Sequence, residues 1–177
     1  MKYTFETLYN QEALTVMAKC LRKTVRRKKS KRSHIFGWIV VILAVILSFG
    51  SDVESFVIDF KKVITWAAAL VIIVSFVFED WLNGYFARKR MLKGTEKSIS
   101  TFDTEMPIAF VSETAIGKSE FSYDKVAEIA ETKRYFVFIF SENHAQVYDK
   151  VSISGGTIDE FREFISKATN KSVVYIS

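Results

Sequence analysis

One cysteine, one proline, two histidines and seven glycines stand among the 177 residues of the chain. A lone Cys20 cannot close an intramolecular bridge, which excludes a disulfide scaffold, and the scarcity of Pro and Gly excludes a collagen-like or low-complexity disordered chain. With only His34, His144 and Cys20 to draw on, the ligands of a zinc centre are missing. No G-x-S-x-G, Walker A, G-x-G-x-x-G or H-E-x-x-H pattern occurs, so the sequence points to no catalytic residue, no cofactor and no metal, and the expectation is a protein that is not an enzyme. The absence that says most is one of charge. Residues 35–51 and 63–78 hold no ionisable side chain, although a quarter of the chain is charged.

At about 1.5 Å per helical residue, runs of 17 and 16 residues reach nearly across a ~30 Å hydrocarbon core. Trp38, Trp66, Trp81 and Tyr85 suit the interfaces, and Lys61, Lys62 and Arg88 can snorkel, so the ends supply the missing length. The helical pattern of the second run is expected to continue through Trp81 and Tyr85 to Met91, with Gly94 as a left-handed stop. Lys and Arg number nine over residues 19–34, four over 79–94 and two over 52–62. That asymmetry predicts a two-span hairpin with both termini cytoplasmic. In the outer connection Val53, Phe56, Val57 and Phe60 follow helical spacing, leaving Asp52, Glu54 and Asp59 to water.

Net charge separates the remaining parts. Residues 1–34 carry +8 and residues 94–177 carry −4. An acidic soluble part argues against nucleic acid as a partner. In the arm, Leu14, Met17 or Ala18, Leu21 and Val25 form one helical stripe, with Cys20 read as a small apolar residue. The cations Arg22, Lys23, Arg26, Arg27, Lys28, Lys29, Lys31 and Arg32 are the candidates for contact with anionic lipid at the bilayer surface. Glu79 and Asp80, directly after the second apolar run, read as solvent-facing and paired with basic neighbours.

Past Gly94 the period changes to that of strands. Ile99, Thr101 and Asp103 alternate, as do Ile108, Phe110 and Ser112; residues 126–129 form a short apolar piece and 135–140 a dense aromatic run. Met106-Pro107, Gly117-Lys118, Lys133-Arg134 and the stretch 141–144 separate them. Thr157 and Glu160 form a capping box that opens a helix with Ile158, Phe161, Ile165 and Ala168 on one face. Gly155-Gly156 before that helix allows a phosphate cradle or a plain cap. The expected fold is thus an α+β membrane protein: a two-helix transmembrane hairpin followed by a small antiparallel sheet or partial barrel capped by one C-terminal helix, a pleckstrin-homology-like (PH-like) plan. The division expected is a strand and basic amphipathic arm at 1–34, the hairpin with its helical extension at 35–94, and a cytoplasmic PH-like domain at 95–177.

Particular residues carry a resemblance as well. The segment from Phe121 to Ile165, with Ser122-Tyr123-Asp124, Val126, Ile129, Glu131-Thr132-Lys133-Arg134-Tyr135-Phe136-Val137-Phe138 and Asp159-Glu160-Phe161-Arg162-Glu163-Phe164, resembles the YcxB-like family. The order of parts matches too, from a Tyr3-Thr4-Phe5 strand start through a basic arm and two apolar runs to a C-terminal domain. Tyr123 stands where the family often has Trp, and Asp149-Lys150 where it often has Pro before a basic residue. The resemblance implies no established activity, catalytic residue or cofactor. The function expected is a non-enzymatic protein-interaction or regulatory module with an unidentified protein partner, in a bacterial plasma membrane. An anionic-lipid sensor and a small transporter or channel subunit are the alternatives, and the oligomeric state stays open.

Overall fold

The computed structural model describes residues 1–49, 60–105 and 108–177; the outer connection with Asp52, Glu54 and Asp59 and the Met106-Pro107 break lie outside them. Strands are β1 (Lys2–Leu8), β2 (Lys97–Asp103), β3 (Ala109–Thr114), β4 (Gly117–Ser122), β5 (Glu128–Glu131), β6 (Tyr135–Ser141), β7 (His144–Asp149) and β8 (Val173–Tyr175). Helices are α1 (Gln11–Lys23), α2 (Arg27–Phe49), α3 (Phe60–Val77), α4 (Glu79–Arg90) and α5 (Ile158–Thr169).

The strands form two four-stranded sheets, β1-β2-β3-β4 and β7-β6-β5-β8. All neighbours are antiparallel except β5 and β8. Paired amide–carbonyl bonds of 3.0 Å between Thr4 of β1 and Ser154 tie the first sheet to the segment that follows β7, and among the described residues no closed barrel results. The single sheet expected from the sequence is therefore two. Three strands had no clear signal: Gly117 opens β4 instead of ending a strand, His144 opens β7, and β8 has only three residues.

Between the sheets lies an aromatic core. Phe5, Phe102, Phe110, Phe136, Phe138, Tyr148 and Phe161 are fully buried, with Phe161 on α5 in ring contact with Phe5 at 4.6 Å and Phe102 at 5.0 Å. Each buried ring contributes up to about 3 kcal/mol through loss of apolar surface to water. The capping box forms as expected: the Thr157 amide donates to Glu160 Oε2 at 2.8 Å, the Glu160 amide to Thr157 Oγ1 at 3.3 Å, and the left-handed Asn170 ends the helix.

Two features depart from the expected division. Strand β1 pairs along its whole length with β2, Phe5 opposite Ser100, so residues 2–8 belong to the same sheet as 97–122 and not to a separate arm. The helical continuation past the second apolar run is also broken: α3 and α4 meet at Phe78 with a bend of 80°. Of the described helices, α2 is long and apolar enough to cross a membrane, and α3 with α4 forms a bent pair that passes the same test together. Most of the apolar side chains of α2 and α3 are exposed.

Candidate functional site

Helix α1 is the junction of the molecule. Asn10 caps it by accepting the Ala13 amide at 2.9 Å. Strand β6 explains what it packs on: its unbroken apolar run is buried on both faces. Phe136 and Phe138 turn into the aromatic core, while Tyr135, Val137 and Ile139 meet Ala13, Cys20 and Leu21 of α1. Burial pushes the Cys20 thiol up to about 12, which keeps it protonated and inert at neutral pH.

The far side of α1 faces α4. A Cβ at Gly84 would lie 2.8 Å from the Thr15 amide nitrogen and 2.9 Å from its Cα, so the two helices touch backbone to backbone and only glycine fits. Gln11 Nε2 donates to the Trp81 carbonyl at 3.0 Å. The sequence shows one apolar stripe on this helix, with Cys20 as a small apolar residue; the structure buries two sides of it, and Ala13 beside Cys20 marks the second.

At the end of α1 a polar cluster ties it to the bend. Arg22 grips Asp80 through Nε and Nη2 at 2.7 and 2.6 Å, and its Nε lies 3.7 Å from Glu79 Oε2. The hydrogen bonding that Arg22 donates to the Asp80 carboxylate is the main reason its guanidinium is held above its ordinary pKa. His34 Nε2 meets Glu79 Oε2 at 2.8 Å. Glu79 and Asp80 are therefore paired, and with α1 and α2, not with basic neighbours of their own helix.

These contacts divide the eight candidate lipid-binding cations. Arg22 is committed to Asp80, Lys23 donates to the Ser177 carbonyl at 3.0 Å, and Arg26 donates to the Glu142 carbonyl at 2.6 Å and to Asn143 Oδ1 at 3.0 Å. Lys29 lies 3.6 Å from Glu142. Arg27, Lys28, Lys31 and Arg32 are exposed and make no ion pair among the described residues.

Beside α1 the molecule holds a cleft of about 740 Å³. Val16, Tyr135, Ile158 and Tyr175 supply apolar walls, Val151 stands 82 % exposed at its rim, and Lys19 and Lys133 flank it and make no ion pair among the described residues. Arg134, which stacks over Tyr135 at 5.1 Å, is tied to Glu12 and Asp149, each at 2.9 Å. Beneath the cleft Glu131, 5 % exposed, accepts Lys150 Nζ at 2.8 Å and both Arg162 Nε and Nη2 at 2.7 and 2.8 Å. Burial alone would raise the Glu131 pKa, but the bonds and charges of Arg162 and Lys150 outweigh it and lower it. In the sequence Glu131 stands out only as part of the segment that carries the family resemblance, and the triad is not visible there because its cations come from 19 and 31 residues away.

The Gly155-Gly156 pair serves a close approach. Gly155 has φ +89°, and a Cβ there would lie 1.9 Å from the Lys2 carbonyl oxygen. The pair is filled by β1, and the cap reading holds over the phosphate cradle. Among the described residues no group of three or more His, Cys, Asp or Glu is placed to hold a metal ion.

Fold and junction together define an α+β protein whose two sheets are fastened through one partly buried helix, α1, to a pair of mostly exposed apolar helices. Residues 107–165, a third of the chain running from the start of β3 into α5, match the family model of the YcxB-like protein. No curated protein and no solved structure matches the chain.

Proposed function

We propose that the chain is an integral membrane protein with two spans, α2 and α3, and both termini cytoplasmic, whose PH-like domain acts without catalysis as a docking module for a protein partner. The partner presents an acidic segment with apolar side chains to the cleft beside α1. The observation that carries this is the composition of that cleft: exposed Val151 and Tyr175 lie next to Lys19 and Lys133, two cations that make no ion pair among the described residues. Aromatic and aliphatic anchors within a charged rim are the general form of a protein-binding surface. Because α1 also carries α4, an occupant of the cleft touches the element that links domain and membrane helices. Arg27, Lys28, Lys31 and Arg32 supply attraction to anionic lipid. Head-group recognition by the domain itself has less support, since Lys97 is held by Glu6 at 2.6 Å and Lys118 sits beside Glu113 and Glu120.

A photo-crosslinking amino acid at Val151 is expected to capture a protein in intact cells, and the same group at exposed Glu113 on the other sheet is not. Reversing Lys19 and Lys133 to Glu should lower the Val151 adduct about tenfold, the combined effect of two exposed charge pairs worth up to about 1 kcal/mol each. Equal adducts at both positions, or an adduct indifferent to the charge reversal, would overturn the reading.

A further inference from the structure

Helix α4 has two unlike sides. Around its axis, Asp80, Gly84 and Ala87 fall on the face that meets α1. On the opposite arc stand Trp81, Tyr85 and Phe86, respectively 48, 44 and 48 % exposed, with the first two rings stacked at 5.6 Å. Arg88, Lys89 and Arg90 are exposed along and beside that arc and make no ion pair among the described residues. A soluble helix with an aromatic outer face and three unmatched cations lacks a reason for either feature.

The 80° bend at Phe78 supplies the reason. We propose that α4 lies in the plane of the cytoplasmic membrane interface, its Trp81, Tyr85 and Phe86 face inserted at the head-group boundary of an anionic bilayer. This rests on the reading that α3 crosses the membrane. If α3 runs near the bilayer normal, a helix turned through 80° runs almost parallel to the surface. Trp and Tyr favour that depth, and Arg and Lys beside them reach outward to lipid phosphates. The Arg22 to Asp80 pair and the Thr15 to Gly84 contact then hold α1 directly above the interfacial helix. The order outward from the lipid is α4, α1, the β5-to-β7 sheet and the aromatic core, which fixes the height of the domain above the bilayer.

The test uses the full chain in vesicles of phosphatidylcholine and phosphatidylglycerol, with a nitroxide attached through Tyr85→Cys, Val71→Cys or Lys171→Cys. Native Cys20 is fully buried and stays unlabelled. The Val71 label should be open to oxygen and closed to an aqueous nickel complex, and the Lys171 label the reverse. The Tyr85 label should meet the nickel complex several-fold less often than Lys171, at a depth shallower than Val71. Omitting phosphatidylglycerol should move it toward water. A Val71 label in water overturns the span and the interfacial helix together. A Val71 label in lipid with Tyr85 as water-accessible as Lys171, or shielded from both reagents by protein, overturns the interfacial helix alone. Unchanged depth in neutral vesicles contradicts the anionic preference.

Discussion

Replacement of Phe161 by Asp is expected to unfold the two-sheet domain. Phe161 is fully buried and touches rings from both sheets: Tyr3 at 5.3 Å and Phe102 at 5.0 Å from one, Phe136 at 5.4 Å from the other. Truncating such a ring costs about 3–5 kcal/mol, and a carboxylate without a partner adds several more. That total is of the same order as the roughly 5–15 kcal/mol by which small domains are stable. The substitution belongs in the full chain, because a fragment of residues 95–177 would lack β1 and with it Tyr3 and Phe5. Hydrogen exchange in detergent should reveal lost amide protection throughout β2 to β7; protection like that of the wild type would show that α5 does not hold the sheets together.

The Glu131 triad gives the second large effect. Glu131→Gln keeps the shape and removes the charge, leaving the Lys150 ammonium, 13 % exposed, without its counter-ion and the Arg162 guanidinium with only the exposed carboxylate of Asp159. Removing one member of a buried pair costs about 3–5 kcal/mol, and the lower end applies here because Arg162 is 38 % exposed and partly screened by water. Denaturant unfolding in detergent should place the variant well below wild type, and replacing all three residues by Leu should recover most of the loss. The same group sets a pH dependence. Its folded pKa is lowered, so its contribution is complete above the unfolded-state value near 4.3 and is lost as pH falls through the folded value. Glu131→Gln should lack that acid-sensitive component. A variant as stable as wild type at neutral pH would contradict the account of the triad.

What the sequence made legible was the part governed by local pattern. The capping box of α5 and the aromatic run of β6 each announce themselves within a few residues, and both form. Pairing across long separations was not legible: nothing in Tyr3-Thr4-Phe5 says that its partner lies beyond both apolar runs, at β2. The bend at Phe78 was hidden for a related reason. No Pro or Gly marks it. It is fixed by tertiary contacts, with Asp80 held by Arg22, Glu79 by His34, and Gly84 seated on Thr15. The cleft beside α1 gathers Lys19, Lys133, Val151 and Tyr175 from four separate elements or turns, which no linear spacing encodes. The basic arm was visible as a cluster, yet only the folded chain separates the cations engaged internally from Arg27, Lys28, Lys31 and Arg32.

The central claim is that α2 and α3 form a membrane hairpin with the two-sheet domain on the cytoplasmic side, and sidedness tests it most directly. Single cysteines at Ser55, in the connection between the apolar runs, and at Ser172, exposed just before β8, can be probed with a membrane-impermeant thiol reagent while buried Cys20 stays silent. The account predicts labelling of Ser55→Cys in intact cells and of Ser172→Cys only after lysis. Labelling of both before lysis, or of Ser172→Cys alone, would contradict it.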